Sequence, residues 1–276
     1  MKRGVSGVVL AMVLLLLLLL PAAALAAGDA PWTGDGTREN PYEISSKEDL
    51  IALADAVNAK NDLKGLYFKQ TKDIDLQTNE DNPWPVIGHV IGNTPHEFNG
   101  VYDGGDFTIS GLYVYTRNED AGLFGHVGPS GVIQRVHVVD CDLYNSALYV
   151  AGIAGRNEGL VEYCSSSGVI RGGWQYAGGI VGYNFGEISY CYSDCDVLGA
   201  QKVGGITGGQ NGGTVVNCYF RGYVYASDIT RAYAGGIAGE NDGDSTIDNC
   251  YSDGIVEGFN ENAYCGAIAG SNDTAA

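Results

Sequence analysis

The side chains with catalytic or ligating potential are 7 cysteines, 4 histidines and 33 acids in a chain of 276 residues. Two carboxylate pairs are the strongest catalytic candidates. Asp140 with Asp142 and Asp194 with Asp196 each flank a cysteine, Cys141 or Cys195. Strand alternation would send both acids of a pair to one face and the cysteine to the other. Carboxylates so placed could bind calcium or act as acid and base on a glycosidic bond. Against this stands the plainer expectation of solvated charge on a very acidic surface. His96-Glu97 begins an H-E-x-x-H motif, but Gly100 occupies the place of the second histidine. His89, His126 and His137 are scattered and are expected at turns or on the surface. Gly104-Gly105-Asp106 and Asn241-Asp242-Gly243-Asp244 resemble pieces of calcium loops without their ligand count, and are expected to be turns. Tyrosine is abundant, 18 against 7 Phe and 3 Trp, and Tyr176, Tyr183, Tyr192, Tyr223, Tyr225 and Tyr233 lie among polar residues. Such rings could stack on sugars or contact protein, or serve as strand residues with a wet tip. No residue is assigned as catalytic, cofactor-binding or metal-ligating, and no cofactor is expected.

Only a fold could gather groups so scattered, and the chain repeats itself. The phrase Gly-[Ile/Leu]-x-Gly begins at Gly122, Gly152, Gly179, Gly205 and Gly236, with the variant Ala267-Ile268-Ala269-Gly270. Successive starts are therefore 30, 27, 26, 31 and 31 residues apart. Most copies run through Asn157, Asn184, Asn211, Asn241 or Asn272 to a second block ending at Cys164, Cys191, Cys218 or Cys250, and a third block such as Ser166 to Ile170 follows. Three short β-like blocks cannot bury a core alone but can form one coil of a solenoid. Several glycines per unit, each costing ~1 kcal/mol inside a helix, argue against helical repeats. The expected fold is all-β: a parallel β-helix of 26–31-residue repeats. Leu123, Ile153, Ile180, Ile206 and Ile237 should form one interior column, and Val161, Ile188, Val215 and Ile247 another. Cys164, Cys191, Cys218 and Cys250 should stack inward as thiols, because side chains one rung apart point the same way and suit a disulfide poorly. Cys141, Cys195 and Cys265 are less constrained, and no C-x-x-C spacing marks a zinc or redox centre. The two Asp pairs would then lie two coils apart, about 10 Å, with Ser167 and Gly168 between them.

Outside the repeats, Lys2 and Arg3 precede an apolar run from Val5 to Leu20, then Pro21 and Ala24-Leu25-Ala26, the pattern of a signal peptide over residues 1–26. No later run reaches membrane length, so no membrane span is expected after cleavage. The formal charge is -18, and without Lys2 and Arg3 it is 13 minus 33, or -20, which repels nucleic acid. Thirteen basic residues that do not cluster also fit a polysaccharide lyase poorly. Residues 27–80 are expected to form an N-terminal cap with one helix at about 46–59, started by a capping box in Ser45-Ser46-Lys47-Glu48 and buried through Leu50, Leu53, Ala54 and Val57. Residues 81–276 then form the β-helix. Its last coil is expected to be incomplete, with an open edge available for self-association.

Gly34-Asp35-Gly36-Thr37, Asn40-Pro41-Tyr42, Asp73-Ile74-Asp75-Leu76, Phe98-Asn99-Gly100-Val101-Tyr102-Asp103-Gly104 and the Gly-Ile-x-Gly…Asn-Cys-Tyr repeats together resemble secreted bacterial proteins of the GLUG-motif family over residues 32–272. The resemblance implies a right-handed parallel β-helix in exported or cell-surface proteins, often adhesin-like and sometimes appended to larger proteins such as IgA-cleaving metallopeptidases. It implies no catalytic residue in the repeats. The functional expectation is a secreted or surface-located, non-enzymatic binding or structural solenoid. Its partner would be a glycan or a protein of the host or cell envelope, contacted by corner loops such as Tyr225 to Tyr233 and Phe259 to Tyr264. The alternatives are a carbohydrate-active enzyme using Asp194 or Asp196, and a module of a larger exported protein.

Overall fold

The computed structural model describes residues 31–61, 63–91, 94–117, 119–146, 148–172 and 174–273. The expected signal peptide lies outside them. The chain winds as a parallel β-solenoid, as its repeats require. A typical coil places Val132–Gln134 in sheet 1, His137–Asn145 in sheet 2, Tyr149–Ala151 in sheet 3 and Ala154–Asn157 in sheet 4, and Leu160–Glu162 then returns to sheet 1 one rung on. Among the described residues sheets 1 to 4 have eight, ten, six and six strands. Every rung-to-rung pairing in these four sheets is parallel, and Val90–Ile91 with Thr94–Pro95 forms a small antiparallel hairpin outside them. Sheet 1 starts as early as Tyr42–Ile44, so the helix and the first coils belong to the same body as the repeats. The coil of residues 246–273 contributes to all four sheets.

Period-2 alternation inside short blocks builds the core. Leu123, Ile153, Ile180, Ile206 and Ile237 are fully buried, as are Val161, Ile188 and Val215, which stack in register with Ile247 above them. The N-terminal coils are filled instead by aromatic rings: Phe68, Phe98 and Phe124 lie 6.1 and 5.2 Å apart between centroids. Helix α1 (Lys47–Asn58) buries Leu50, Leu53, Ala54 and Val57. Its capping box is one residue later than the sequence suggests. Ser46 is the N-cap and accepts from the Asp49 amide at 3.1 Å, while the Asp49 carboxylate accepts from the Ser45 amide at 2.8 Å. The shorter Asp at this position reaches back where Glu48 does not.

Two polar columns run inside the coil. Amides pass from Asn157 to Asn184 (2.8 Å), Gln210 (3.3 Å), Asn241 (2.6 Å) and Asn272 (2.6 Å). Register puts Gln210, not the expected Asn211, in this spine; Asn211 is exposed opposite Asp242. Asn184 also donates to the carbonyls of Gly186 (3.0 Å) and Thr214 (3.4 Å), so truncating it strands donors and acceptors in two coils. Asn184→Ala is expected to cost about 2 kcal/mol in urea unfolding, with an unchanged m-value. The second column is sulfur. Cys164, Cys191 and Cys218 are buried and unbridged, with Cys250 half-exposed at its end. Each thiol lies against a carbonyl two residues back, as Cys191 does with Ser189 at 3.3 Å. Burial pushes the Cys191 thiol well up, so it stays protonated.

Candidate functional site

The outer face of sheet 2 carries the acids singled out above. Asp142, Val169, Asp196 and Tyr223 are successive rungs of one outward column, and Ser167 and Asp194 are neighbours in another. The residue between Asp142 and Asp196 is thus Val169 rather than Gly168. Gly168 pairs with Cys141 and Cys195 on the inward side, where it leaves room for the two buried thiols. Asp140 does not share a strand face with Asp142. It sits in a bulge between Val138 and Cys141 with a left-handed φ of 52°, and its amide donates to Ser167 Oγ. Asp142 is ion-paired with Arg171, and Asp194 with Arg221 at 3.0 Å. Two rungs separate Asp142 from Asp196 by about 10 Å along the backbone, near the upper limit for an inverting glycosidase pair. The face is a set of ion-paired positions on a rigid grid.

Tyrosines occupy the same grid. Tyr192, Tyr219 and Tyr251 stack at 5.3 Å steps with interplanar angles of 12° and 5°. Tyr115 and Tyr144, both exposed, stack at 5.5 Å beside Tyr113, Asp142 and Arg171, around a groove of about 330 Å³. Rings held as parallel plates cover one another's faces and present their edges and hydroxyls outward. Only the end of a column has a ring face free for a sugar. Tyr219 and Tyr223 donate to Asp253 (2.8 Å) and Glu257 (2.7 Å), and these hydrogen bonds push both phenols up to about 12. His137 lies two rungs before Tyr192 in the same column and contacts Ser165 Oγ at 2.8 Å.

A second set of groups was not legible as a site. Sheets 3 and 4 fold back on each other across the Gly-[Ile/Leu]-x turn, and their outward side chains meet in a notch. Arg156 lies 4.8 Å over the Tyr149 ring, Tyr176 and Tyr183 centroids are 4.4 Å apart, and Lys202 Nζ is 3.0 Å from Glu240 and 4.5 Å over Tyr176. Tyr176 and Tyr183, expected among exposed polar residues, are each only 9% accessible. At the N-terminal end of the notch Asp120 is fully buried, 3.4 Å from Arg156 Nε, without a hydrogen-bond partner on either oxygen among the described residues. Burial raises its carboxyl to about 7 despite Arg156. His126, next to Arg156 in register, is buried with Nε2 3.2 Å from Glu158, and burial lowers it to about 4. These groups flank the repeated phrase, three residues before it (Tyr149, Tyr176, Lys202) or directly after it (Arg156, Tyr183, Glu240), which is the signal that marks them. His96 is buried beside the small hairpin. Gly105 and Asp106 form a left-handed turn, and Asn241 belongs to the amide spine.

Comparison with known proteins gives the same architecture. Residues 230–257 match the model of the GLUG motif, so the chain carries that motif in its penultimate coils. Halomucin of Haloquadratum walsbyi is 30% identical over 151 residues, 52% of this chain but 2% of halomucin. A protein named as a Gly-rich membrane protein of Evansella cellulosilytica is 29% identical over 136 residues, 48% of this chain and 15% of that protein. The chain therefore spans a small part of either relative. Among solved structures, a Bacteroides ovatus protein classed by name as an immunoglobulin A1 protease superposes with a TM-score of 0.70 at 25% identity, covering 86% of this chain and 73% of that one. Among the described residues of the present chain no helix is long and apolar enough to cross a membrane.

Proposed function

We propose that this chain is an exported scaffold of the cell envelope that works by display rather than catalysis, as an adhesin-like binding or structural solenoid. The observation that carries it is the outer face of sheet 2. Tyrosine plates and Asp–Arg pairs recur there at the rung spacing, on a coil braced by the amide spine. The names of the two relatives, a mucin and a membrane protein, support an envelope location. The protease name of the structural neighbour brings peptidase action as the rival. This chain has Gly100 where an H-E-x-x-H motif needs its second ligand. Purified protein incubated with a panel of host and bacterial glycans is expected to be retained without releasing new sugar ends, with and without calcium. Release of sugar ends that is abolished by Asp194→Ala or Asp196→Ala would make it an enzyme.

A further inference from the structure

We propose that the first coils hold a binding groove for a carboxylated oligosaccharide, on the outer face of sheet 1 under the loop of residues 33–41. The groove has a volume of about 770 Å³, within the range of small-ligand sites. Its floor is set by register. Tyr67, Val101 and Val132 form one outward column and Lys69, Asp103 and Gln134 the next. The first column is an apolar strip for the face of a sugar ring, and the second a row of hydrogen-bonding groups for its edge. The overhanging loop is fixed rather than loose. The Tyr67 amide donates to Gly36 O (2.9 Å), Asp35 N to Asn40 O (3.0 Å) and Glu43 N to Thr33 O (2.9 Å), and Asp35 caps the Thr37 amide at 3.0 Å. It carries Arg38 to the groove's rim.

The cations without ion-pair partners point to the ligand. Arg38, Lys69 and Arg135 line this one groove together with the acids Glu39, Glu43 and Asp103. The basic residues thus cluster in space although they do not in sequence. Arg135 is committed to Asp103, with Nε 2.9 Å from Oδ1. Among the described residues Arg38 and Lys69 form no ion pair, and Glu43, the rung neighbour of Lys69, turns its carboxylate to Thr33 Oγ1 at 2.8 Å while keeping its charge. Two uncommitted cations beside an apolar strip suit carboxylates spaced along a sugar chain. An acidic peptide fits less well. The strands of the floor, Tyr67–Gln70, Val101–Asp103 and Val132–Gln134, are each paired on both sides, and on the edge strand Tyr42–Ile44 the Glu43 amide already donates to Thr33 O, so the floor offers a peptide no free edge.

The site rests on the display reading above, because it supplies one ligand class for it, and the test separates the two. Titration calorimetry of the purified protein with an oligogalacturonate is expected to show binding that weakens as salt rises, with the neutral galactose oligomer bound at least about tenfold more weakly. Arg38→Gln and Lys69→Gln, both at exposed positions, should each weaken oligogalacturonate about tenfold at unchanged melting temperature, and the double variant about a hundredfold. Arg231→Gln, outside the groove, should leave it unaltered. Equal binding of the neutral oligomer, equal binding of a poly-Glu peptide, or indifference to both substitutions would overturn the site. A protein that binds other glycans of the panel but not oligogalacturonate overturns this site alone, and one that binds no glycan overturns it together with the glycan-display reading.

Discussion

Gly208→Val is expected to be severely damaging, costing about 4 kcal/mol or preventing folding altogether. A Cβ at Gly208 would lie 2.6 Å from the Ala177 nitrogen, 2.7 Å from the Gly182 oxygen and 2.9 Å from the Tyr176 carbonyl carbon, all of them backbone atoms with nowhere to move. The second glycine of each copy from Gly152 onward is placed alike, whereas Gly125 of the first copy faces Gly88. Gly155, Gly182, Gly239 and Gly270 would bring a Cβ to 2.4–2.6 Å of backbone nitrogen or oxygen. This glycine therefore answers to contact between sheets 3 and 4, not to a turn. Gly212 separates the two causes. It has a φ of 70° but open space where a side chain would go, so Gly212→Ala should cost only about 1 kcal/mol. Urea unfolding of both variants checks the pair, and near-equal losses would show that sheets 3 and 4 are not packed backbone to backbone.

Asp120→Asn is expected to stabilise the protein above neutral pH and to leave it unaltered in acid. In the folded state the carboxyl titrates at about 7, against an ordinary value near 3.8, because burial outweighs the attraction of Arg156. The folded chain therefore holds a proton that the unfolded chain releases between these limits. Stability from this group is complete below pH 3.8 and is lost as pH rises to 7. Asparagine keeps the shape without the charge, so the gain over wild type should open from pH 4 and level off above pH 7, on the order of 4 kcal/mol. His126 acts in the opposite sense. Its folded value is depressed to about 4, so its contribution is lost as pH falls from 6.5 towards 4. Wild type should consequently be nearly level across that interval, while Asp120→Asn should climb with pH through it. The groups around Asp120 that set these slopes are Arg156, Glu119, Glu158, Tyr149 and His126. Chemical unfolding at pH 4, 6 and 8 measures the gap, and a constant gap would mean that Asp120 is ionised and solvated in the fold.

Sequence alone determined the parallel coil, its interior columns and the inward sulfur ladder. A repeat with period-2 alternation and a fixed place for Ile or Cys permits one arrangement in which every unit buries its apolar face against the next. It also determined helix α1, through the spacing of Leu50, Leu53, Ala54 and Val57. Tertiary structure decided whatever depends on register between rungs about 26 to 35 residues apart. It chose Gln210 over Asn211 for the amide spine and set Val169 between Asp142 and Asp196. It gave Asp142 and Asp194 arginine partners from other coils and turned Asp140 out of alternation at a bulge. It also made corners from left-handed Tyr163, Tyr190, Asn217 and Asn249, a conformation ordinarily left to glycine or asparagine. The notch around Asp120 and the groove around Lys69 arise where two surfaces close on each other: sheet 3 on sheet 4, and the loop of residues 33–41 on sheet 1. A one-dimensional pattern shows which side of a strand a residue faces. Which other surface meets that side is settled by the backbone distances that glycines permit and by the rung on which each partner lands.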